Sequence, residues 1–295
     1  MVSILIPVYN YSIKTLVCFL HNQAIKCHFP FEILVFDDAS TLPFPENESI
    51  TQLPNCFYER SKENIGRTEA RNQLAKKAKY DYALFLDADV MPQKDTFLEE
   101  FIDAVAKHPD IIFGGITYEN ATPTKDRLLR WYYGKKRESL PLKSRKKEPY
   151  LSINSGCFLI KKSLFLSLSR RLNFPLYGLD LYFKILLAEK NAVVTHIDNP
   201  VYHLGIETSK DFLEKSLRSI ETLFFLEKNN YIEENSFPIQ RAFHHLKKIH
   251  LIFLFQGFFN VFYKFIEYNL LSKRPILFLF DVFRLNHFIR LKNGK

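Results

Sequence analysis

Two apolar runs in this chain stop abruptly at carboxylates, and that repeated pattern narrows the folds open to it. Glu32-Ile33-Leu34-Val35-Phe36 runs into Asp37-Asp38-Ala39-Ser40, and Leu84-Phe85-Leu86 runs into Asp87-Ala88-Asp89. A short apolar run bounded by polar residues reads as a buried strand. A further run, Val2 to Val8, is closed by Pro7, Tyr9 and Asn10 and is followed by a segment of helical character from about Ser12 to Ala24. Strand, helix, strand is the unit that builds a parallel sheet. Open α/β sheets bind their ligands at the carboxyl edge of the strands, so Asp37, Asp38, Asp87 and Asp89 are expected along one such edge.

The rest of the first two hundred residues extends this pattern. Residues 43–54 read as a loop, Phe57-Tyr58 as a short strand leading to Asn64-Ile65-Gly66, and Arg67 to Lys79 as a helix. Arg67, Arg71 and Leu74 share one face of that helix. Two arginines near a helix start could hold a diphosphate, or could pair with Glu69 or Glu63 on a solvated face. Tyr82 to Leu86 delivers Asp87 and Asp89, and Ala88 between them is small enough for close approach. Two carboxylates there suit Mg²⁺ or Mn²⁺, which keep positions open for substrate phosphates. Asp37-Asp38-Ala39-Ser40 also suits an ordinary turn or helix cap.

Further on, a helix from about Thr96 to Lys107 precedes a strand over Ile111 to Ile116. Asn154-Ser155-Gly156 turns into a strand, and Tyr177-Gly178-Leu179 opens a helix with Asp180 in its first turn, where the dipole also favours an acid. Val193 to Ile197 and Val201 to Leu204 close the domain as short strands, with His203 at the end of the second, a position that is also compatible with a structural histidine.

Charge is unevenly spread over the 295 residues, whose net charge is +9. Residues 125–148 carry ten Lys/Arg against three acids, with Trp131, Tyr132 and Tyr133 embedded, and suggest a mobile crossover or a solvated loop. Residues 241–295 carry ten against two and hold eleven of the 29 phenylalanines. The longest uncharged stretch there, Ile249 to Tyr263, is 15 residues, short of the roughly 20 that a bilayer span needs. Basic residues flanking Phe-rich helices fit an interfacial anchor on an anionic leaflet, or else a helical appendage packed on the preceding α/β domain. Nucleic acid is disfavoured, since no recognition motif accompanies the charge. The four cysteines have neither zinc-site spacing nor disulfide density, so they read as small core or surface residues in a reducing compartment. No basic segment precedes Val2-Ser3-Ile4-Leu5-Ile6, and no secretory signal is expected.

Taken in order, these motifs resemble the family 2 inverting glycosyltransferases, nucleotide-sugar-dependent enzymes of the GT-A fold. Val2 to Asn10 looks like the family's opening strand, Val35 to Ser40 its second, Asn64-Ile65-Gly66 with Ala70-Arg71-Asn72 its loop and helix, and Leu86-Asp87-Ala88-Asp89 its metal motif. The likeness covers roughly residues 2–205 and is specific by order and spacing. It implies an α/β fold with a mostly parallel central sheet flanked by helices, over residues 1–208. Residues 1–117 would be a nucleotide-binding half and 118–208 an acceptor half, with 209–295 a helical C-terminal appendage.

The resemblance also implies roles. Pro7 and Tyr9 would line the base pocket together with Asp38, which would meet uracil or an equivalent base. Gly66, Arg67, Arg71 and Ala88 would flank the donor, Asp87 would sit at the ribose, and Asp89 would bind Mn²⁺ or Mg²⁺. His203 would be a further ligand, and Asp180 the general base. Leu179 stands where relatives carry Glu beside that acid. The Gln-x-x-Arg-Trp motif of processive synthases is not found, which suits a non-processive, bacterial-type hexosyltransferase-like enzyme. Its donor would be a nucleotide-diphosphate sugar, UDP-linked by preference, and its acceptor a glycan or polyprenyl-linked sugar in cell-surface polysaccharide or glycan synthesis. Its place would be cytoplasmic, peripheral at the inner face of the cell membrane. A non-catalytic nucleotide-sugar-binding protein and a nucleotidyltransferase are the alternative readings, the latter without the Gly-rich phosphate loop its chemistry expects.

Overall fold

The structure is a computed structural model that describes residues 1–172, 174 and 176–294. It divides into two compact units. The first comprises residues 1–119, 138–175 and 186–205, and the second residues 120–137, 176–185 and 206–295. The second unit thus takes in 120–137 and 176–185, which a linear division of the chain assigns to the first.

The first unit begins with β1 (Val2–Val8), α1 (Lys14–Lys26), β2 (Phe31–Asp37), the short α2 (Pro45–Glu48) and β3 (Cys56–Arg60). It continues with α3 (Arg67–Lys77), β4 (Tyr82–Leu86), β5 (Val90–Pro92), α4 (Phe97–Val105), β6 (Ile111–Phe113) and β7 (Ile116–Thr117). After a helix in the second unit come α6 (Leu142–Lys147), β8 (Cys157–Lys161), α7 (Lys162–Ser169), β9 (Val194–His196) and β10 (Val201–His203). Seven strands form one sheet in the order β3-β2-β1-β4-β8-β6-β9. β1 pairs in parallel with both β2 and β4, and β8 runs antiparallel to β4 and β6. The chain therefore moves from β1 outward to β3 and returns to the other side of β1 at β4. That reversal opens a crevice at the carboxyl ends of β1 and β4. β8, running the other way, brings its amino end to the same edge.

These strands form because they are buried on both faces and read as nearly unbroken apolar runs. Ile4, Leu5, Ile6, Leu84, Phe85 and Leu86 are all fully buried. Helix α3 covers the sheet with Ala70, Arg71, Leu74 and Ala75, all buried, and α4 packs with Phe97, Leu98 and Phe101. Two of the four cysteines, Cys56 and Cys157, sit in this core, and burial pushes the Cys56 thiol up to about 12.

One expected strand is broken. The run Ile111 to Ile116 splits at Gly114 and Gly115 into β6, in the large sheet, and β7, in a three-stranded sheet of order β5-β10-β7. A Cβ on Gly114 would lie 2.3 Å from the Asn199 carbonyl oxygen, and Gly115 has φ +108°. Only glycine lets the backbone turn so closely against the neighbouring strand connection. Pro45 also starts a helical turn where a loop was expected, at the N1 position that tolerates a missing N–H.

Part of the basic segment is structural. Arg145 on α6 is buried, and it donates to the carbonyls of Phe113 (3.1 Å), Gly114 (3.2 Å), Ile197 (2.9 Å) and Leu140 (3.1 Å). Its planar fork fastens the β6 and β9 ends to the α6 loop, so this portion is not the mobile crossover expected from its charge. His196 lies against it, with Nδ1 3.4 Å from Arg145 Nη1 and Nε2 3.0 Å from the Pro149 carbonyl oxygen. A neutral ring donating from Nε2 satisfies both contacts, whereas a second proton would point at the guanidinium. Burial holds the His196 pKa below its usual 6.5, and Arg145 adds to the fall.

The unfolded chain therefore takes up this proton first as pH drops. The stability involved is complete above about 6.5 and is lost as pH falls toward the lower folded value. The urea midpoint is expected to fall between pH 7.5 and pH 5.5, and His196→Gln to show a shallower fall over the same range.

The second unit contains α5 (Leu128–Tyr133), the first turns of α8 (Asp180–Glu189), α9 (Ser209–Lys228), α10 (Pro238–Lys248), α11 (Ile252–Leu270) and α12 (Leu277–Lys292). Leu129, Leu213, Phe259, Ile266, Leu270, Phe280 and Val282 form its core. Thr208 caps α9 by accepting from the Asp211 N–H at 3.1 Å.

Candidate active site

The carboxyl edge of the large sheet gathers most of the residues that the sequence singles out. Past β1, Pro7 is half-buried and Tyr9 exposed. Asn10, at φ +52°, ties this end to the loop after β2: its Oδ1 accepts from the Thr41 and Leu42 N–H groups at 2.8 and 2.9 Å. The two acids at the end of β2 are both buried but differently used. Asp37 accepts from the Ser40 N–H at 2.7 Å and from the Tyr58 hydroxyl at 2.5 Å, and burial with this bond pushes the Tyr58 phenol up.

Asp38 reaches across to the loop before α3. Its carboxylate accepts from the N–H groups of Ile65 (2.7 Å) and Gly66 (2.9 Å), while Asn64 Nδ2 donates to its carbonyl at 3.0 Å. Gly66, at φ +84° and ψ 155°, occupies a backbone region that side chains make costly. Asp38 thus holds the Asn64-Ile65-Gly66 loop in the shape that starts α3.

At the end of β4, the two carboxylates of Asp87-Ala88-Asp89 have different surroundings. Arg71, buried, donates to Asp87 Oδ1 at 2.7 Å and to the Ser155 carbonyl at 2.6 Å. Arg67 donates to Asp87 Oδ2 and, at 3.1 Å, to the Ser155 hydroxyl. The arginines thus converge on Asp87, and Arg71 is buried rather than on a solvated helix face, while Glu69 accepts from Asn72 and Gln73 and lies 3.7 Å from Lys76 Nζ. The Asp87 N–H donates to the Gly156 carbonyl at 2.9 Å. Two guanidinium groups on one carboxylate fix the position of Asp87.

Asp89 belongs to the small sheet's corner. β5 begins one residue later and pairs antiparallel with β10, so that Val90 lies opposite His203. His203 Nε2 comes 3.5 Å from Asp89 Oδ2, and the Leu204 N–H donates to the Asp89 carbonyl at 2.8 Å. Burial pushes the Asp89 carboxyl above its usual range; Asp87 adds to this, and His203 and Arg67 act against it. A half-buried carboxylate set 3.5 Å from an imidazole nitrogen is a donor pair suited to a divalent ion such as Mn²⁺. Among the described residues no group of three or more His, Cys, Asp or Glu side chains is arranged to hold a metal. Asp89 and His203 would therefore be a partial ligand set, leaving coordination positions for phosphate oxygens.

Four residues near this edge escaped the sequence reading. Ser155 binds both arginines. Tyr11 lies close enough to Asp89 that the carboxylate adds to the rise that burial gives its phenol. The Asn154 side chain accepts from the Gly156 N–H at 2.8 Å. A Cβ on Gly205 would sit 2.0 Å from Asp89 Oδ2. Asn154, Ser155 and Gly156 carried a signal as a turn before a strand; Gly205 carried only its position after His203.

Asp180 lies in the second unit, in the first turn of α8. The preceding segment is fastened to α9: Thr222 Oγ1 donates to the Tyr177 carbonyl at 2.6 Å, and a Cβ on Gly178 (φ +86°) would meet Ser219 Oγ at 2.7 Å. Leu179 is buried.

With this geometry in view, the comparisons with known proteins are direct. A family model described as glycosyl transferase family 2 matches residues 3–168. A putative glycosyltransferase, EpsH, of Bacillus subtilis is 26% identical over 253 residues, covering 79% of this chain and 71% of that protein. An uncharacterized glycosyltransferase of Rickettsia felis is 38% identical over 94 residues, but the match spans only 32% of this chain and 15% of the relative. Among solved structures, S. aureus TarS 1-349 in complex with UDP-GlcNAc aligns with a TM-score of 0.53 at 18% identity, over 100% of this chain and 92% of that one. A mannosyltransferase of Pyrobaculum calidifontis in complex with GDP-Man and Mn²⁺ aligns with a TM-score of 0.53 at 15% identity, over 85% and 70%. These likenesses give the chain the GT-A fold, a mostly parallel sheet flanked by helices with a helical C-terminal region.

The Gly205 contact has a measurable consequence. Gly205→Ala is expected to drive the Asp89 carboxylate away from His203 and, if this pair is to hold Mn²⁺ beside a nucleoside diphosphate such as UDP, to weaken that binding by about 10–100-fold, the usual effect of disturbing a ligand's support. Thermal unfolding with and without Mn²⁺ and UDP measures this; an unchanged Mn²⁺ response would contradict it.

Proposed function

This chain belongs to glycosyl transferase family 2, and from that premise we propose that it moves a sugar from a nucleoside-diphosphate donor, preferentially UDP-linked, to a hydroxyl of a glycan or polyprenyl-linked acceptor. The transfer would invert the anomeric carbon and serve cell-surface polysaccharide or glycan synthesis. The observation that carries the reading is the divided environment of the acidic motif. Asp87 is held by Arg67 and Arg71, while Asp89 is paired with His203 across the β5–β10 register. One edge thus offers a fixed carboxylate and a metal-seeking one at the sheet's reversal point, where nucleotides bind in open α/β sheets. The UDP-GlcNAc held by TarS and the GDP-Man and Mn²⁺ held by the Pyrobaculum mannosyltransferase are in keeping with that chemistry.

In this reading Pro7, Tyr9 and Asp38 face the base, and Asp87 receives the ribose hydroxyls without losing its geometry, because two guanidiniums hold it. Gly66, with Ala88, lets the chain approach the donor closely. Arg67, the more exposed of the two arginines, is also the one available to the diphosphate. Asp89 and His203 would hold Mn²⁺ or Mg²⁺, which when bound offsets the negative charge gathering on the departing diphosphate. The acceptor oxygen attacks the anomeric carbon as the bond to the diphosphate oxygen breaks. Asp180 takes the hydroxyl proton, so no covalent sugar intermediate forms.

A binding protein without catalysis is the competing reading. It is favoured by one observation: Leu179, at the position where the family resemblance implies Glu, is buried. Release of nucleoside diphosphate from a panel of UDP- and GDP-sugars, with Mn²⁺ and acceptor lipids or glycans, separates the two. Transfer is expected with at least one donor. Asp180→Asn should lower kcat by about 10²–10⁴-fold while donor binding stays near wild type, the usual span for loss of a general base. Asp89→Asn should remove the response to Mn²⁺. A chain that binds donors and releases no nucleoside diphosphate with any acceptor would be a binder.

A further inference from the structure

The surface of α11 poses a separate problem. This helix packs on α12 through Phe259, Ile266 and Leu270 against Phe280 and Val282, which occupies one side of it. The opposite side carries Phe253, Leu254, Phe258, Val261, Phe265 and Tyr268, all exposed; Phe253 is 88%, Val261 77% and Tyr268 76% accessible. At 100° per residue these six fall within one arc of less than half the helix circumference, and the only charge inside that arc is Lys264. A helix of 19 residues is about 28 Å long. Apolar side chains along that whole length form a patch of the kind that marks an interaction site.

Its border is cationic. Where α11 turns into α12, Lys264, Lys273 and Arg274, joined by Lys125, line a shallow basin whose one acid is Glu267. Glu267 accepts from the Tyr263 hydroxyl at 3.1 Å. Beyond the amino end of α11, α10 ends in Lys247 and Lys248. Cations thus stand at both ends of an aromatic strip, an arrangement complementary to an anionic headgroup layer over hydrocarbon.

Other occupants suit it less well. A second copy of the chain would present the same patch through a two-fold axis, setting basic clusters near one another. Crossing the bilayer is a poor match as well. Among the described residues no single helix is long and apolar enough to span, and α10 and α11, which together are, meet at 114°. Such a bend, with Arg241, Lys247 and Lys248 on α10, lets α11 lie in the plane of the surface.

We propose that the exposed face of α11 docks on an anionic lipid leaflet. Phe253, Phe258 and Phe265 would enter the boundary between headgroups and acyl chains, and Lys264, Lys273 and Arg274 would meet lipid phosphates. The protein would accordingly act as a peripheral membrane protein. This is independent of the transfer reaction, because lipid binding needs no donor.

Flotation of the full chain with vesicles of phosphatidylcholine, with or without about 30% phosphatidylglycerol, tests it in the absence of nucleotide sugars. The wild type is expected to float with the anionic vesicles far more than with the neutral ones, and less so as salt rises. Phe258→Glu with Phe265→Glu should weaken anionic-vesicle binding by at least about tenfold, with circular dichroism and Tm unchanged because both positions are solvent-exposed. Lys273→Ala with Arg274→Ala should weaken it by about fivefold per cation removed. Undiminished flotation of either variant overturns the proposal. So does a wild-type chain that fails to float and sediments instead as a dimer that the Phe258→Glu/Phe265→Glu variant splits. Donor turnover with a soluble acceptor should be the same in all these variants, so a failure of lipid docking and a failure of sugar transfer are told apart.

Discussion

The buried Arg71 guanidinium joins three segments that arrive at the sheet edge by separate routes. It is carried by α3, it binds the carboxylate that ends β4, and it binds the carbonyl of Ser155 just before β8. β4 and β8 run antiparallel, so their ends would otherwise lie side by side with one unpaired carbonyl and one uncompensated carboxylate in a half-buried place. Burying a charge without partners costs several kcal/mol in practice. Here cation and anion are buried together, and Arg67 adds a second cation from a more exposed position. Asp87 is thereby a fixed element of the fold as well as of the site, and that leaves Asp89 free to differ from it.

Much of this was legible in the sequence where the physics is local. β1, β2 and β4 are buried on both faces, so their apolar runs are almost unbroken and their ends are marked by Pro7, Asp37-Asp38 and Asp87-Ala88-Asp89. Because these strands are parallel, their carboxyl ends must share an edge, and the acids were placed correctly relative to one another from the pattern alone. The family and the fold followed from the same motifs taken in order.

What stayed hidden depends on contacts between distant segments. Arg67 and Arg71 lie one turn apart on a helix that looks solvated. Their bond to Asp87 exists only once β4 is beside β1. Residues 111–116 read as one strand, because two glycines in an apolar run do not reveal that the backbone passes from one sheet to another at Gly114. The ten cations of residues 125–148 suggested a mobile crossover or a solvated loop. Yet Arg145 donates to four carbonyl groups, from the end of β6, from Gly114 just after it, from the loop before α6 and from the residue after β9, and no sequence rule separates it from its neighbours. In the C-terminal region the abundance of phenylalanine was plain, but which of those rings face water was set by the pairing of α11 with α12.

The close fit of Gly205 against Asp89 also bears on how the protein comes into being. β5 and β10 are neighbours in space and far apart along the chain, and Asp89 acquires His203 and its glycine wall only when β10 lies down beside β5. The segment matched by the family model ends at residue 168, before either arrives. A chain released only that far would carry β4 and β5 without β10, so Asp89 would stand without His203 and Gly205 beside it. The corner that sets a carboxylate against an imidazole is therefore completed by residues that leave the ribosome well after the acidic motif itself.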